Sequence, residues 1–424
     1  MRIVKALVLS LPAIGMTVSG VSAVLALNAV SAAPAFAADK KGGEKQVGAK
    51  VGKPLKEALD LANGGKLKDA MAKAQEAAAV SGKTPFEEYK INEVIAFIAV
   101  KLSDYGTAAK AYEATLQSGE LPADQAKERL NQLTKMYYQL NNYPKAIQYG
   151  SQYLKDGGTD LMAAVLVAQS YYQQKDNERA IEASQALIKM ANQSGQPVKE
   201  EWLQLLMNCQ IRADKEDEAI KTLDLLLDKY PSQQYWNSRL NYAQTHGGSS
   251  DRKNLEIYRL KFLLGVMKDS EYVEMAQLAM ALGFPGDAKA VLDKGFSSKV
   301  LGVGASKDRE NRLYNLAQTN AANDQKGLVG FEKEASAAAG GDSDIKLGEA
   351  YASYGNYEKA VEAMKRGLKK GSVKAEDEAH LQLGIALANL KRNSEAVAEF
   401  KAVPADSKLA DVAHLWIIHI GNKS

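Results

Sequence analysis

The sequence is short of the residues that chemistry most often requires. Cys209 is the only cysteine among 424 residues, so no intramolecular disulfide can form. There are four histidines: His246, His380, His414 and His419. Asp411 and His414 share a helix face, but no second ligand stands at metal spacing, and a metal site needs three or four. Formal net charge is only +3, and no basic stripe with interleaved aromatics occurs, which argues against a nucleic-acid partner. Gly64-Gly65-Lys66 has the tail of a phosphate loop without its upstream glycine or preceding strand, and Gly302-Val303-Gly304 lacks the third glycine of a dinucleotide site. Glu87-Glu88 and Glu376-Asp377-Glu378 stand near helix starts, where carboxylates favour the helix dipole. No serine elbow or paired catalytic carboxylates stand out. Neither enzymatic activity nor a cofactor or metal is expected, and Cys209 is expected to be a small buried filler.

What is present is a repeated pattern over residues 345–403. Its first copy is Leu347-Gly348, Tyr351, Gly355, Tyr357, Ala360 and Met364. Its second is Leu383-Gly384, Leu387, Lys391, Asn393, Ala396 and Phe400, each 36 residues later. Leu347, Tyr351 and Tyr354 recur at helical spacing and form one stripe. Gly355-Asn356 ends that helix, and Ala360 and Met364 lie a turn apart on the next. The small Ala lets two helices approach closely, and the bulky residue fills the space above it. This order resembles the tetratricopeptide repeat, a helix–turn–helix unit of about 34 residues.

The small residue of the second helix serves as a ruler for the remainder. Ala70, Ala108, Ala146, Ala180, Ala219, Ala288, Ala360 and Ala396 fall 38, 38, 34, 39, 69, 72 and 36 residues apart. Two gaps are near double the repeat, so degenerate hairpins are expected at 232–264 and 307–338. The resemblance thus implies an all-α, right-handed superhelical solenoid of about ten hairpins. Leu409, Val412, Ala413, Trp416, Ile417 and Ile420 form one stripe of a C-terminal helix that caps the stack. The expected organisation is a 55–231 N-terminal array, 232–343 degenerate repeats with loop interruptions, 344–403 the two best-matched units, and 404–424 the cap.

The first residues set the compartment. Arg2 and Lys5 precede an uncharged run over 6–38 that ends Ala35-Phe36-Ala37. Small residues one and three positions before a cut suit signal peptidase, so residues 1–37 are expected to be a cleaved export signal. An uncleaved anchor is the alternative, because the run is long enough to span a bilayer; Pro12, Gly15 and Gly20 interrupt it. The periplasm is the expected destination, ahead of secretion, with no stable membrane insertion after cleavage. Residues 38–54, rich in Lys and Gly, are expected to form a flexible leader.

The site is then a matter of surface. In the family that this chain resembles, first helices line a concave groove that binds extended peptides or partner helices. Counting from the ruler places Asn131, Lys135 and Tyr138, then Gln169, Tyr172 and Gln173, then Gln204, Asn208 and Arg212 on that groove. Amides pair with peptide backbone, and tyrosine offers area at low entropy cost. Trp416, Ile417 and Ile420 form a second possible docking surface, although capping the stack would also use them. The expected function is an exported scaffold for other envelope proteins, possibly accessory to a transport or assembly machine. A periplasmic small-ligand or glycan-binding module is the alternative.

Overall fold

The computed structural model describes residues 46–421. The export segment expected over 1–37 and the first part of the leader lie outside the described residues. Among the described residues there are twenty α-helices, one 3-10 turn at Gly304–Ser306 and no strand. No helix of these is long and apolar enough to cross a membrane. The chain divides into two compact units, one ending at Thr222 and the other beginning at Leu223.

Five hairpins open the chain: α1 Ala49–Asn63 with α2 Leu67–Ala78, α3 Pro85–Lys101 with α4 Tyr105–Gln117, α5 Ala123–Gln139 with α6 Tyr143–Lys155, α7 Leu161–Gln173 with α8 Asn177–Gln193, and α9 Glu200–Arg212 with α10 Glu216–Lys229. Two more follow, α11 Gln233–Thr245 with α12 Asp251–Leu264 and α13 Asp269–Ala281 with α14 Pro285–Ser297. A single long helix, α15 Lys307–Ala337, comes next. The pairs α16 Asp342–Ser353 with α17 Tyr357–Lys370 and α18 Glu376–Asn389 with α19 Asn393–Ala402 precede the last helix, α20 Ala410–Gly421.

One turn builds eight of these nine hairpins. The first helix ends on a residue in left-handed conformation: Gly65, Ser103, Asn141, Lys175, Asp214, Gly283, Gly355 or Lys391. The next N–H reaches back to a carbonyl five residues earlier, as in Asp104 N to Ala99 O at 2.8 Å and Asn356 N to Tyr351 O at 3.0 Å. This satisfies carbonyls that a helix end leaves unpaired. Asp104, Asn142, Asp176 and Asn356 then cap the second helix by accepting from an N–H three residues on. Gly64-Gly65-Lys66 is such a turn and cradles no phosphate loop.

The eight ruler alanines are all buried, none more than 3% exposed. The Leu-Gly pair has its reason in the same contact. A Cβ at Gly348 would lie 2.4 Å from Met364 Cγ and 2.9 Å from the Ala360 carbonyl oxygen, and one at Gly384 would lie 2.6 Å from Phe400 Cε1. Helix backbones therefore approach over glycine on one side and alanine on the other, and the bulky residue four beyond the alanine fills the remainder.

The ninth hairpin, α11 with α12, departs from this turn. Its linker holds Gly247 and Gly248 at positive φ, and Lys253 is fully buried beneath it. The Lys253 ammonium donates to the carbonyls of His246 and Gly248, satisfying a linker that lacks the repeated turn.

Two expectations are corrected. Residues 307–338 do not form a hairpin; α15 is continuous, because no proline interrupts it and its interior glycines, Gly327 and Gly330, stand in open helix with nothing near their Cβ positions. Its buried apolar residues are mainly alanines, Ala317, Ala321 and Ala335, while Leu316 and Val329 are exposed. It ends where Lys370 Nζ donates to the carbonyls of Ala335, Ser336 and Ala338, a cation placed on a helix C-terminus. The flexible leader expected over 38–54 is helical from Ala49 onward. Val51 and Leu55, a turn apart, are buried at the start of the first hairpin's core, and Val47 packs against the same cluster.

Gly384→Ala is expected to cost about 1–3 kcal/mol through overpacking against Phe400. Gly327→Ala, on open helix surface, is expected to gain about 0.5–1 kcal/mol. Chemical denaturation followed by tryptophan fluorescence and circular dichroism measures both; equal effects would refute the close-approach account of the Leu-Gly pair.

Candidate functional site

Within the N-terminal unit the first helices form one layer: α5 touches α7, and α7 touches α9. The nine residues expected on this face belong to α5, α7 and α9, and the structure gives them different roles. Asn131 is buried, and Lys135 is half-buried. Both are taken by Asp160, which accepts from Asn131 Nδ2 at 3.1 Å and Lys135 Nζ at 2.8 Å. Asp160 also caps α7 by accepting from Met162 N at 2.8 Å, and its own N–H donates to Tyr153 Oη at 3.0 Å. One residue thus joins three helices, its carboxylate bonding α5 and α7 and its backbone N–H bonding α6. Burial opposes its charge, but the bonds from Lys135 and Asn131 prevail and hold the Asp160 carboxyl below its ordinary range.

Tyr138 is half-buried, edge-on to Tyr143 with ring centroids 5.8 Å apart. Gln169 is buried, and its Oε1 has no partner, as is also true of Asn131 Oδ1. Tyr172 is half-buried beneath the Arg212 guanidinium, which lies 4.3 Å from the ring centroid. Gln204 bonds Glu200 at 3.2 Å, Asn208 is half-buried, and Gln173 and Arg212 are exposed. The reachable part of the face is therefore Gln173, Asn208 and Arg212, with Gln204 and the Tyr172 edge beside them.

Within the C-terminal unit the interior is different. Arg252, Glu256 and Arg259 lie on one side of α12, and Glu256 is fully buried. Arg252 pairs with Glu256 at 3.2 Å, with Glu349 of α16, and at 3.8 Å with Glu378 of α18. Arg259 pairs with Glu256 at 2.7 Å, with Asp287 of α14 at 2.5 Å, and donates to Gln382 Oε1 of α18 at 3.3 Å. Four carboxylates share two guanidiniums. Burial outweighs the pairing at Asp287 and Glu378, whose carboxyls are pushed above the ordinary range. Lys261, also buried on α12, pairs with Glu271 at 2.6 Å.

Beside this network lies a cavity of about 820 Å³. Its walls come mainly from the second helices α12 and α14, from α15, and from the first helices α16 and α18, with Met275 of α13, Tyr357 of α17 and Trp416 of α20. Sequence reasoning missed both features. The only local signal is the Arg252, Glu256, Arg259 spacing on one helix face; the partners Asp287, Glu349 and Gln382 sit on three other helices, with no sequence mark.

The C-terminal helix is not an open docking surface. Trp416 and Ile420 are buried and Ile417 is half-buried. Trp416 stacks near Phe400, and Arg239, 3% exposed, binds both Asp411 and Asp224. The apolar stripe has its partners in α18 and α19 and in α12. His414, half-exposed, bonds Asp224 at 3.0 Å. That bond raises its pKa above the ordinary 6.5 against the effect of burial. Asp411 is half-buried, which opposes its charge, yet Arg239 holds it below its ordinary range. His380 bonds Glu399 at 2.7 Å. Cys209 is fully buried, its thiol pushed up to about 12 by burial, which leaves it an inert filler. Among the described residues no group of three potential ligands could hold a metal ion.

A tetratricopeptide repeat model matches residues 132–197 and 345–410, and a second tetratricopeptide repeat model matches residues 203–232. The chain carries tetratricopeptide repeats. The matched stretches hold α5 to α8, α9 with α10, and α16 to α19, hairpins that carry the ruler alanine and the repeated turn. Stacked repeats of this kind form a scaffold for protein–protein interaction. Solved structures similar to this chain include YrrB, described as a TPR protein with an unusual peptide-binding site, at 14% identity over 44% of this chain and 90% of its own, with TM-score 0.32. A tetratricopeptide repeat protein from Parabacteroides merdae is 12% identical over 80% of this chain and 100% of its own, with TM-score 0.32. MamA from Desulfovibrio magneticus is 16% identical over 41% and 92%, with TM-score 0.29. No curated protein matches the chain.

Asp160→Ala is expected to cost about 1–3 kcal/mol, as a lost cap and lost charge-assisted bonds. Because the folded-state pKa of Asp160 is depressed, its stabilisation is present above the ordinary carboxylate value and lost as pH falls through the folded one; the variant should lose this part of the acid sensitivity in denaturation series. His414 has the opposite sign. Its raised pKa stabilises the docked C-terminal helix below pH 6.5, and that support is lost as pH rises through the folded value. Amide exchange in α20 should therefore quicken from about pH 6 to 8 beyond the intrinsic rate, and His414→Gln should remove the excess.

Proposed function

We propose that the protein is an exported scaffold of the cell envelope that holds other envelope proteins through the first-helix layer of its N-terminal unit. The observation that carries this is the row Gln173, Asn208 and Arg212 beside Tyr172, reachable residues on contiguous helices of one face. Arg212 over the Tyr172 ring makes a preformed planar platform, and the neighbouring amides can each donate to and accept from a peptide backbone. Asn131, Lys135 and Gln169 support that face from beneath: the first two fix α7 against α5 through Asp160.

The compartment follows from Arg2, Lys5, the uncharged run and the Ala35-Phe36-Ala37 end, which favour export to the periplasm with cleavage after Ala37. An accessory role in an envelope transport or assembly machine fits a stacked-hairpin chain whose inner face offers amides and aromatic surface rather than catalytic groups.

Intact-cell crosslinking from a photoreactive residue at position 173 or 208, with mass spectrometry of the adducts, tests the reading. One dominant envelope-protein adduct is expected, reduced at least tenfold by Arg212→Glu, on a chain whose first residue is Ala38. Absence of any protein adduct from both positions would refute the N-terminal face as the partner site, and retention of residues 1–37 would refute the cleaved form.

A further inference from the structure

We propose that the cavity of the C-terminal unit binds a neutral saccharide of one or two rings. Its volume of about 820 Å³ lies in the range of small-molecule sites, roughly 300–1,000 Å³. The chemistry of its wall narrows the class. Arg259 is committed to Asp287 and Glu256, and Lys289 to Asp293 at 2.6 Å, so both cations in the wall are neutralised locally. A charged ligand would find no uncommitted counter-charge in them. A wholly apolar ligand would leave polar wall side chains unmet, Gln318, Gln325 and Asn389 among them.

What remains is an uncharged molecule rich in acceptors and donors with some apolar face. The side-chain amides of Gln318, Gln325 and Asn389 line the same space, along with the rings of Tyr354 and Tyr357. Planar amides pair with vicinal hydroxyls through one donor and one acceptor each, and a ring face covers the C–H side of a pyranose. Phe262, Leu263 and Ile385 supply further apolar wall. The cavity has a rigid frame: the buried network of Arg252, Glu256 and Arg259 holds α12 to α14, α16 and α18, the helices that form its sides. The site is independent of the N-terminal face.

Isothermal titration of the full chain with N,N′-diacetylchitobiose and with cellobiose tests this. Binding of both would show that ring hydroxyls suffice, and binding of the first alone would show that an acetamido group meets the wall amides; either supports the site. Ala322→Trp places a bulky ring in the cavity from an exposed helix position. It should weaken binding at least tenfold, with Gln325→Trp as a second filling variant and circular dichroism melting to establish that each is folded. Failure of both sugars to bind, or binding that the filled variants leave unchanged, would overturn the proposal.

Discussion

Everything in this chain depends on how closely the two helices of a hairpin approach. The eight ruler alanines are buried because the facing helix leaves no room for more, and at Gly348 and Gly384 even a methyl group would collide. Close approach alone would not hold without a turn that reverses the chain in few residues. The left-handed residue and the bond back to the fifth carbonyl supply it, and they tolerate Ser103, Asn141, Lys175, Asp214 or Lys391 where glycine is absent. Local backbone geometry and side-chain size thus specify the same hairpin, a consistency that favours a single folded arrangement.

The features readable in sequence were those set by neighbours in sequence. Ala360 with Met364, and Ala396 with Phe400, announce a hairpin because the contact repeats at a fixed interval. The burial of Trp416 and Ile420 followed the apolar stripe, although capping and docking would have used the same stripe. The continuity of α15 was not legible from its spacing: Leu313, Leu316 and Phe331 satisfy a repeat ruler as well as one long helix does. Its lack of a turn residue in left-handed conformation was the deciding property. In the N-terminal unit the helices that carry the candidate residues were legible but not the employment of those residues. Nothing near Asn131 or Lys135 in sequence shows that Asp160, on another hairpin, takes both.

The two units use polar groups in contrasting ways. In the N-terminal unit the carboxylate of Asp160 spans helices at a partly solvated edge, where the bonds from Lys135 and Asn131 outweigh the burial that opposes its charge and tie α5 to α7. In the C-terminal unit Arg252, Glu256 and Arg259 are drawn inside, where charge is costly unless each group is met. Such an interior fixes which helices face one another more strictly than apolar contact would, since a slipped register would strand a guanidinium. Lys253 follows the same rule on a smaller scale, standing under the one hairpin linker that lacks the repeated turn.

Hairpins add helices in twos, so each preserves which member of the pair faces inward. The unpaired α15 adds one. Before it, the cavity is lined mainly by the second helices α12 and α14, with Met275 of α13; after it, mainly by the first helices α16 and α18, with Tyr357 of α17. The long helix therefore acts as a parity change in the array. Within this unit, breaking α15 into two would supply the missing member of a pair and change which helices, and so which residues, are turned toward the cavity.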